Sequence, residues 1–177
     1  MHKAVGVSEG LSSVLAGKVK VMVGISDLKV SDNPEEVLIT YSLGSCIGLV
    51  VYDPVVVVGG LLHYMLPLSR VNPEKAASNP AMFADTGIPL LFREVFRLGA
   101  RRENLVVKAA GGASPLTSDT GMFRIGERNY TILRKMLWKN DILLAAEDIG
   151  GTASRTLYLE VESGRTVVRS NGREVEL

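Results

Sequence analysis

Residues 40–65 read TYSLGSCIGLVVYDPVVVVGGLLHYM, and this stretch sets the expected fold. Two apolar runs, 46–52 and 55–65, flank the turn signal Asp53-Pro54. Both runs carry apolar residues at successive positions, which is typical of strands in a sheet that is covered on both faces. The stretch therefore predicts a buried antiparallel hairpin.

Further strands are predicted where β-branched and aromatic residues alternate or cluster. They cover residues 19–23, 37–41, 105–110, 142–146, 155–161 and 165–169. The last two, joined by a Ser163-Gly164 turn, predict a terminal hairpin. The polar residues 69–79 predict an exposed loop.

Two helices are predicted between these strands. The first has Asp85 or Thr86 as its N-cap, Pro89 near its first turn and Gly99 as its stop. The second covers residues 126–139, with an apolar stripe along one side.

Two helices are too few to cover both faces of such a sheet. We therefore expect an α+β layered sandwich with both helices on one side, its mostly antiparallel strands either stacked as two sheets or strongly curled. Residues 1–17 are expected to form a flexible extension, and residues 18–177 a single domain.

Composition restricts the function classes. The formal net charge is +1 with both signs interleaved, which argues against a nucleic-acid or membrane-surface binder. A single cysteine excludes an internal disulfide and any multi-cysteine metal site, and it fits a reducing cytoplasm. The most apolar run, 55–62, is too short to span a bilayer as a helix. We expect a cytoplasmic protein that is not inserted in a membrane.

The hairpin brings two rare side chains together. Cys46 is the only cysteine, and His63 is one of two histidines. If the turn is centred between Pro54 and Val55, or if the loop covers residues 53–56, then Cys46 pairs directly with His63. Their Cβ atoms would then be about 4.5–5.5 Å apart. A one-residue slip would place them on opposite faces of the sheet.

A thiol facing an imidazole can serve as an activated nucleophile, because the ring takes the thiol proton. Thr40, at the end of the preceding strand, is a candidate to accept a hydrogen bond from the second ring nitrogen. The opposing interpretation is that Cys46 is a small buried apolar residue and that His63 is a hydrogen-bonded core residue. The predicted register favours the catalytic interpretation.

Three further residues are candidates for binding the substrate or an oxyanion. Backbone N–H groups around Ser45 could stabilise an oxyanion, and Gly44 lets the chain turn sharply before Cys46. Ser114 either borders the site or caps its own loop. Gly111-Gly112 lacks the lysine and spacing of a phosphate-binding loop, so it predicts a tight turn.

Ordered motifs connect the sequence to a known family. They are Leu43-Gly44-Ser45-Cys46, Tyr52-Asp53-Pro54, Gly59-Gly60, His63-Tyr64-Met65-Leu66-Pro67, Phe83-Ala84-Asp85-Thr86, Lys108-Ala109-Ala110-Gly111-Gly112-Ala113-Ser114, Ile125-Gly126-Glu127-Arg128-Asn129 and Ala146-Glu147-Asp148-Ile149-Gly150-Gly151. With these motifs, residues 23–169 resemble the CheD family of chemoreceptor glutamine deamidases.

The resemblance implies a layered α/β/β sandwich and a catalytic triad of Cys46, His63 and Thr40. It implies hydrolysis of particular glutamine side chains of methyl-accepting chemotaxis receptors to glutamate, through a cysteine acyl-enzyme and with release of ammonia. It also implies a CheC-type phosphatase as an inhibitory partner, and no metal or organic cofactor. Two alternatives stay open: a cysteine hydrolase of another acyl substrate such as a receptor methyl ester, and a non-enzymatic chemotaxis adaptor that acts through the phosphatase.

Overall fold

The computed structural model describes residues 15–114 and 124–177. This part of the chain contains ten strands in two five-stranded sheets. The strands are β1 (Val19–Met22), β2 (Asp27–Ser31), β3 (Glu36–Leu43), β4 (Ile47–Asp53), β5 (Val58–Tyr64), β6 (Val106–Gly111), β7 (Leu144–Ile149), β8 (Arg155–Glu160), β9 (Thr166–Ser170) and β10 (Arg173–Glu176). The α-helices are α1 (Pro73–Ser78), α2 (Ala84–Arg97) and α3 (Ile125–Lys139), and 3₁₀ turns cover Ser69–Val71, Pro80–Met82 and Arg102–Asn104.

The two sheets have different strand orders. The first sheet runs β1-β3-β8-β9-β10, and the second runs β2-β5-β4-β6-β7. The pairs β1–β3 and β6–β7 are parallel, and the other described pairs are antiparallel. The predicted predominance of antiparallel strands is therefore confirmed, although each sheet is mixed.

The second sheet is the middle layer of the molecule. The face of this sheet that is turned toward the helices includes Leu49 and Leu62, which pack in one cluster with Leu91 of α2 and Leu133 of α3. Neighbouring residues point the opposite way because side chains alternate along a strand. Val50 and Leu61 accordingly pack against the first sheet, in a second cluster that includes Leu38, Leu157 and Leu159. The predicted layered sandwich is confirmed, and the strands form two stacked sheets.

The beginning of α2 differs from the prediction. The helix begins at Ala84, and Phe83 is its N-cap without a side-chain hydrogen bond. The side chains of Asp85 and Thr86 instead bond residues of the preceding 3₁₀ turns, so tertiary contacts replace the predicted capping role. Pro89 lies inside the helix, beyond its first turn.

Other boundaries also differ. The predicted loop 69–79 contains α1, whose N-cap Asn72 accepts a hydrogen bond from the Lys75 N–H. The edge strands β2 and β10 are not predicted, because each is short and largely polar. Of the predicted extension, residues 1–14 lie outside the described part of the chain, and Leu15 packs against the outer face of the first sheet.

Candidate active site

Strands β4 and β5 pair two residues away from the predicted register. Gly48 lies opposite His63, and Asp53 pairs with Val58. The predicted direct pairing of Cys46 with His63 is therefore wrong. The shift is an even number of residues, so both side chains still belong to the same face of the sheet. Cys46 lies just before β4, diagonal to His63, where a regular ladder separates Cβ atoms by about 7 Å.

The loop between the strands explains the shift. It covers residues 54–57, and Val57 adopts a left-handed conformation with φ of 57°. The buried Asp53 carboxylate accepts hydrogen bonds from the N–H groups of Val55 (2.8 Å) and Arg101 (2.8 Å). Burial alone would raise the pKa of Asp53, but these N–H donors outweigh it and hold the pKa below its ordinary value. This carboxylate organises a loop over residues 54–57, one position later than the predicted 53–56, and that placement moves the ladder by two positions.

Thr40 and His63 meet in the space between the two sheets. Thr40 comes from β3 of the first sheet and His63 from β5 of the second, and both are 0% exposed. The Thr40 Oγ1 atom lies 2.7 Å from Nδ1 of His63 and donates a hydrogen bond of 2.8 Å to the carbonyl of Val23. The contact joins residues that are 23 positions apart and lie in different sheets.

The direction of these bonds determines the tautomer of His63. A hydroxyl has one proton, and the carbonyl of Val23 can only accept, so Thr40 accepts from Nδ1. The ring proton therefore lies on Nδ1, and Nε2 carries a lone pair. This Nε2 atom is buried and has no hydrogen-bond partner. Burial lowers the pKa of His63 to about 4, so the ring is neutral at neutral pH.

Cys46 is partly buried and packs against the cluster between the sheets. Burial raises the pKa of its thiol above 9.0, although the N–H of Cys46 itself acts in the opposite direction. In the free protein the thiol and the imidazole are therefore both neutral. The pair is chemically suited to a proton transfer that accompanies attack on a substrate, rather than to a pre-formed ion pair.

The backbone before β4 is tied to the loop after β6. The carbonyls of Gly44 and Cys46 accept hydrogen bonds of 2.8 Å from the N–H groups of Ala113 and Gly112. Gly111 has φ of 118°, and a Cβ there would lie 2.2 Å from the Cys46 carbonyl oxygen. The glycine pair therefore allows two backbones to touch, which is a more specific role than the predicted tight turn.

The remaining candidates lie around the same turn. The carbonyl of Ser45 accepts a 2.9 Å hydrogen bond from Nδ2 of Asn129. The N–H of Ser114 donates 2.9 Å to the carbonyl of Gly151, so this group already has a partner within the chain. Thr40 and His63 thus meet between the sheets, whereas Gly44, Ser45 and Cys46 form the turn before β4, diagonal to His63.

Asn129 belongs to one of the family motifs but is not among the predicted site residues, although the sequence carries a signal for it. The buried residues of α3 are Gly126, Asn129, Leu133 and Leu137, which recur every three or four positions. Asn129 is therefore a polar side chain inside an apolar helical stripe, and such a residue needs hydrogen-bond partners in the interior. The sequence could not identify these partners, because they come from the turn before β4 and from the end of β5.

The described residues contain neither a candidate metal site nor a helix that could span a membrane. In residues 15–114 and 124–177, no three histidine, cysteine, aspartate or glutamate side chains are grouped so that they could hold a metal ion. No helix in the same residues is long and apolar enough to cross a membrane.

The fold and site define an α+β sandwich protein in which a partly buried thiol lies diagonal, across a strand pair, to a neutral, threonine-bonded histidine. Comparison with known proteins gives the family. The model of the CheD family, described as CheD chemotactic sensory transduction, matches residues 65–170. The chain belongs to the CheD family.

Curated relatives extend the match over most of the chain. The protein named "Probable chemoreceptor glutamine deamidase CheD 1" from Syntrophus aciditrophicus (strain SB) is 53% identical over 152 residues, covering 86% of this chain and 94% of that protein. The protein named "Probable chemoreceptor glutamine deamidase CheD" from Solibacter usitatus is 53% identical over 158 residues, covering 89% of this chain and 93% of that protein. A protein with the same name from Desulforamulus reducens is 41% identical over 163 residues, covering 91% of this chain and 96% of that protein. An alignment of that length necessarily extends upstream of residue 65 and includes residues 40–63.

Proposed function

We propose that this protein is a cytoplasmic chemoreceptor glutamine deamidase. It hydrolyses the side-chain amides of particular glutamines in methyl-accepting chemotaxis receptors to glutamate and releases ammonia. The observation that carries the proposal is the Thr40–His63 contact, which leaves an unprotonated Nε2 without a hydrogen-bond partner. Cys46 belongs to the same face of the sheet, diagonal to His63 across the β4–β5 ladder. The names of the relatives support the substrate class.

The first half of the reaction forms a covalent intermediate. Sγ of Cys46 attacks the carboxamide carbon, and Nε2 of His63 takes the thiol proton. The carbonyl π electrons move to the oxygen, which becomes an oxyanion near the backbone N–H groups at Ser45. Since both partners are neutral beforehand, proton transfer and attack occur together. The imidazolium that forms donates from Nδ1 to Thr40, whose oxygen partly stabilises the charge.

The second half releases the products. The tetrahedral intermediate collapses to a thioester, the C–N bond breaks, and His63 returns the proton to the departing amine as ammonia. A water molecule then attacks the thioester carbon while Nε2 accepts its proton. Collapse of this second intermediate breaks the C–S bond and yields glutamate. His63 finally reprotonates the Cys46 thiolate, so the enzyme is restored.

The partner proposal rests on the family. CheD-family membership supports a CheC-type phosphatase as a binding partner that inhibits deamidation. Titration of purified CheC into the deamidation assay tests this directly. A falling rate with increasing CheC supports the proposal, and an unchanged rate at a saturating concentration contradicts it.

Mass spectrometry of a receptor cytoplasmic fragment tests the catalytic proposal. Each Gln→Glu conversion adds roughly one dalton, which follows from replacing an amide by an acid. The wild-type protein should produce this shift together with free ammonia. Cys46→Ala should produce neither, while showing the same circular dichroism spectrum as the wild type.

Other outcomes separate the alternatives. Deamidation by Cys46→Ala at the wild-type rate would contradict the cysteine mechanism. Release of methanol from a methylated receptor fragment, without ammonia, would indicate an esterase. A Cys46→Ala variant that restores receptor adaptation in cells would indicate a non-enzymatic adaptor.

A further inference from the structure

Asn129 joins the two backbone segments that carry the candidate nucleophile and base. Its side chain is 0% exposed, on the inner face of α3. The Nδ2 group donates 2.9 Å to the carbonyl of Ser45 and 2.8 Å to the carbonyl of Met65. Ser45 immediately precedes Cys46, and Met65 follows His63 by two residues. One carboxamide therefore links the turn before β4 to the end of β5.

The orientation of this carboxamide follows from its partners. Both partners are carbonyl oxygens, which can only accept, so the NH₂ group must face them. The Oδ1 atom is then left buried without a hydrogen-bond partner. A buried unpaired acceptor destabilises a fold, so its presence requires an explanation. The two hydrogen bonds made by Nδ2 provide one, because no apolar side chain could make them.

The backbone of α3 around Asn129 is itself held in place. The hydroxyl of Tyr64, the neighbour of His63, donates 3.0 Å to the carbonyl of Asn129. One turn earlier, a Cβ at Gly126 would lie 2.5 Å from the carbonyl oxygen of Gly112, so helix and loop are in backbone contact there. The Gly112 N–H in turn donates to the carbonyl of Cys46. The helix, the Cys46 turn and the end of β5 thus form one braced unit.

We propose that Asn129 is a positioning residue that sets the separation between the Cys46 thiol and the His63 ring. The register makes such a brace necessary, since Cys46 is diagonal to His63 and precedes the regular part of β4. Cys46 belongs to no residue pair of the β4–β5 ladder, so the pairing of these two strands does not by itself fix the distance between thiol and ring. The consequence for turnover rests on the deamidase function proposed above, whereas the consequence for the environment of the thiol does not.

The test compares Asn129→Ala and Asn129→Ser with Leu133→Ala. Leu133 lies one turn further along the same stripe, is 0% exposed and packs between the helices and the second sheet. A misplacement of reacting groups by about 1 Å lowers rates by about 100-fold. We expect both Asn129 variants to lower kcat by roughly 10- to 100-fold with KM within about twofold of the wild type. Leu133→Ala should lower the melting temperature with kcat nearly unchanged.

Alkylation of the thiol gives a second readout that needs no receptor. Cys46 is the only cysteine, so iodoacetamide incorporation measures this site alone. The pH profile of the alkylation rate should move in the Asn129 variants and should coincide with the wild type in Leu133→Ala. If Asn129 and Leu133 variants behave alike in both readouts, Asn129 is only a packing residue and the proposal is overturned.

Failure of the deamidase function and loss of folding in the variants are distinguishable from failure of the positioning role. If the wild type does not deamidate but Asn129→Ala moves the alkylation profile, the deamidase function fails and the positioning role stands. If neither Asn129 variant melts cooperatively, Tyr64→Phe replaces them, because it removes a single hydroxyl and leaves no large cavity. It should lower kcat several-fold at unchanged KM and move the alkylation profile. Wild-type behaviour of Tyr64→Phe in both readouts would overturn the proposal.

Discussion

Replacing Thr40 with valine removes one hydroxyl and nearly preserves the shape of the side chain. Two hydrogen bonds are lost, one with Nδ1 of His63 and one with the carbonyl of Val23. Thr40 and His63 are 0% exposed, so water cannot replace the lost partner without reorganising the packing between the sheets. The substitution therefore isolates the contribution of this hydroxyl.

The expected magnitudes follow from the two groups left behind. The Val23 carbonyl and the His63 Nδ1 group each lose a buried partner, at a cost of about 1–3 kcal/mol per group. Part of this cost is offset, because valine has no hydroxyl that must be removed from water on folding. We expect Thr40→Val to lower the free energy of unfolding by roughly 2–3 kcal/mol. The hydrogen bond also favours the tautomer with the proton on Nδ1. Loss of about 1.4 kcal/mol of this preference lowers the ratio of the competent tautomer to the competing one about tenfold.

Urea unfolding and deamidation of a receptor fragment measure both effects. We expect kcat/KM of Thr40→Val to fall by about tenfold or more. Thr40→Ser is the matched control, because it keeps the hydroxyl and loses one methyl group, at a cost of about 1 kcal/mol in stability. It should retain most of the activity. If Thr40→Val and Thr40→Ser have equal kcat/KM, the hydroxyl does not orient His63 and the tautomer argument is refuted.

Three further predictions concern the thiol, the imidazole and the glycine before the loop. Since burial raises the pKa of the Cys46 thiol, its alkylation rate should still rise with pH above 9; a plateau below pH 8 would reveal a pre-formed ion pair. The pKa of His63 is about 4 in the folded protein and 6.5 in the unfolded chain, so between pH 4 and pH 6.5 the unfolded chain binds more protons than the folded protein. Stability should therefore decrease as pH falls from 6.5 towards 4, by up to about 3 kcal/mol, and His63→Gln should show a smaller decrease in urea unfolding. Gly111→Ala should destabilise the fold by several kcal/mol more than Gly172→Ala in thermal unfolding, because both glycines have positive φ but only Gly111 meets another backbone; equal losses would show that the contact with Cys46 is unimportant.

Much of the fold was predictable because it is encoded locally. The valine-rich runs around Asp53-Pro54 predict two strands, and both are present as β4 and β5. The apolar stripe ending at Lys139 predicts a helix, and α3 ends at that residue. Each signal is a periodicity within one element, so it needs no knowledge of the rest of the chain.

The register between β4 and β5 was not predictable in the same way. It depends on which residues form the loop, and the Asp53 carboxylate settles that by bonding Val55 and, from a distant segment, Arg101. A turn assignment based on Asp-Pro alone cannot include a donor that lies 48 residues away. The prediction that Cys46 and His63 belong to the same face of the sheet remains correct, because the register differs from the predicted one by an even number of residues.

The sequence by itself predicted an α+β layered sandwich, with either stacked or strongly curled strands. It also named the candidate residues Cys46, His63 and Thr40, because strand periodicity, helix stripes and residue chemistry are properties of the chain. Tertiary structure alone decided which atoms meet: Nδ1 of His63 with a threonine from the other sheet, and the carboxamide of Asn129 with two segments of the site. These contacts depend on the stacking of the sheets and on the position of α3, and the pKa of His63 depends on the burial that results. Neither has a local signature, because hydrogen-bond partners and burial exist only once distant elements have packed together.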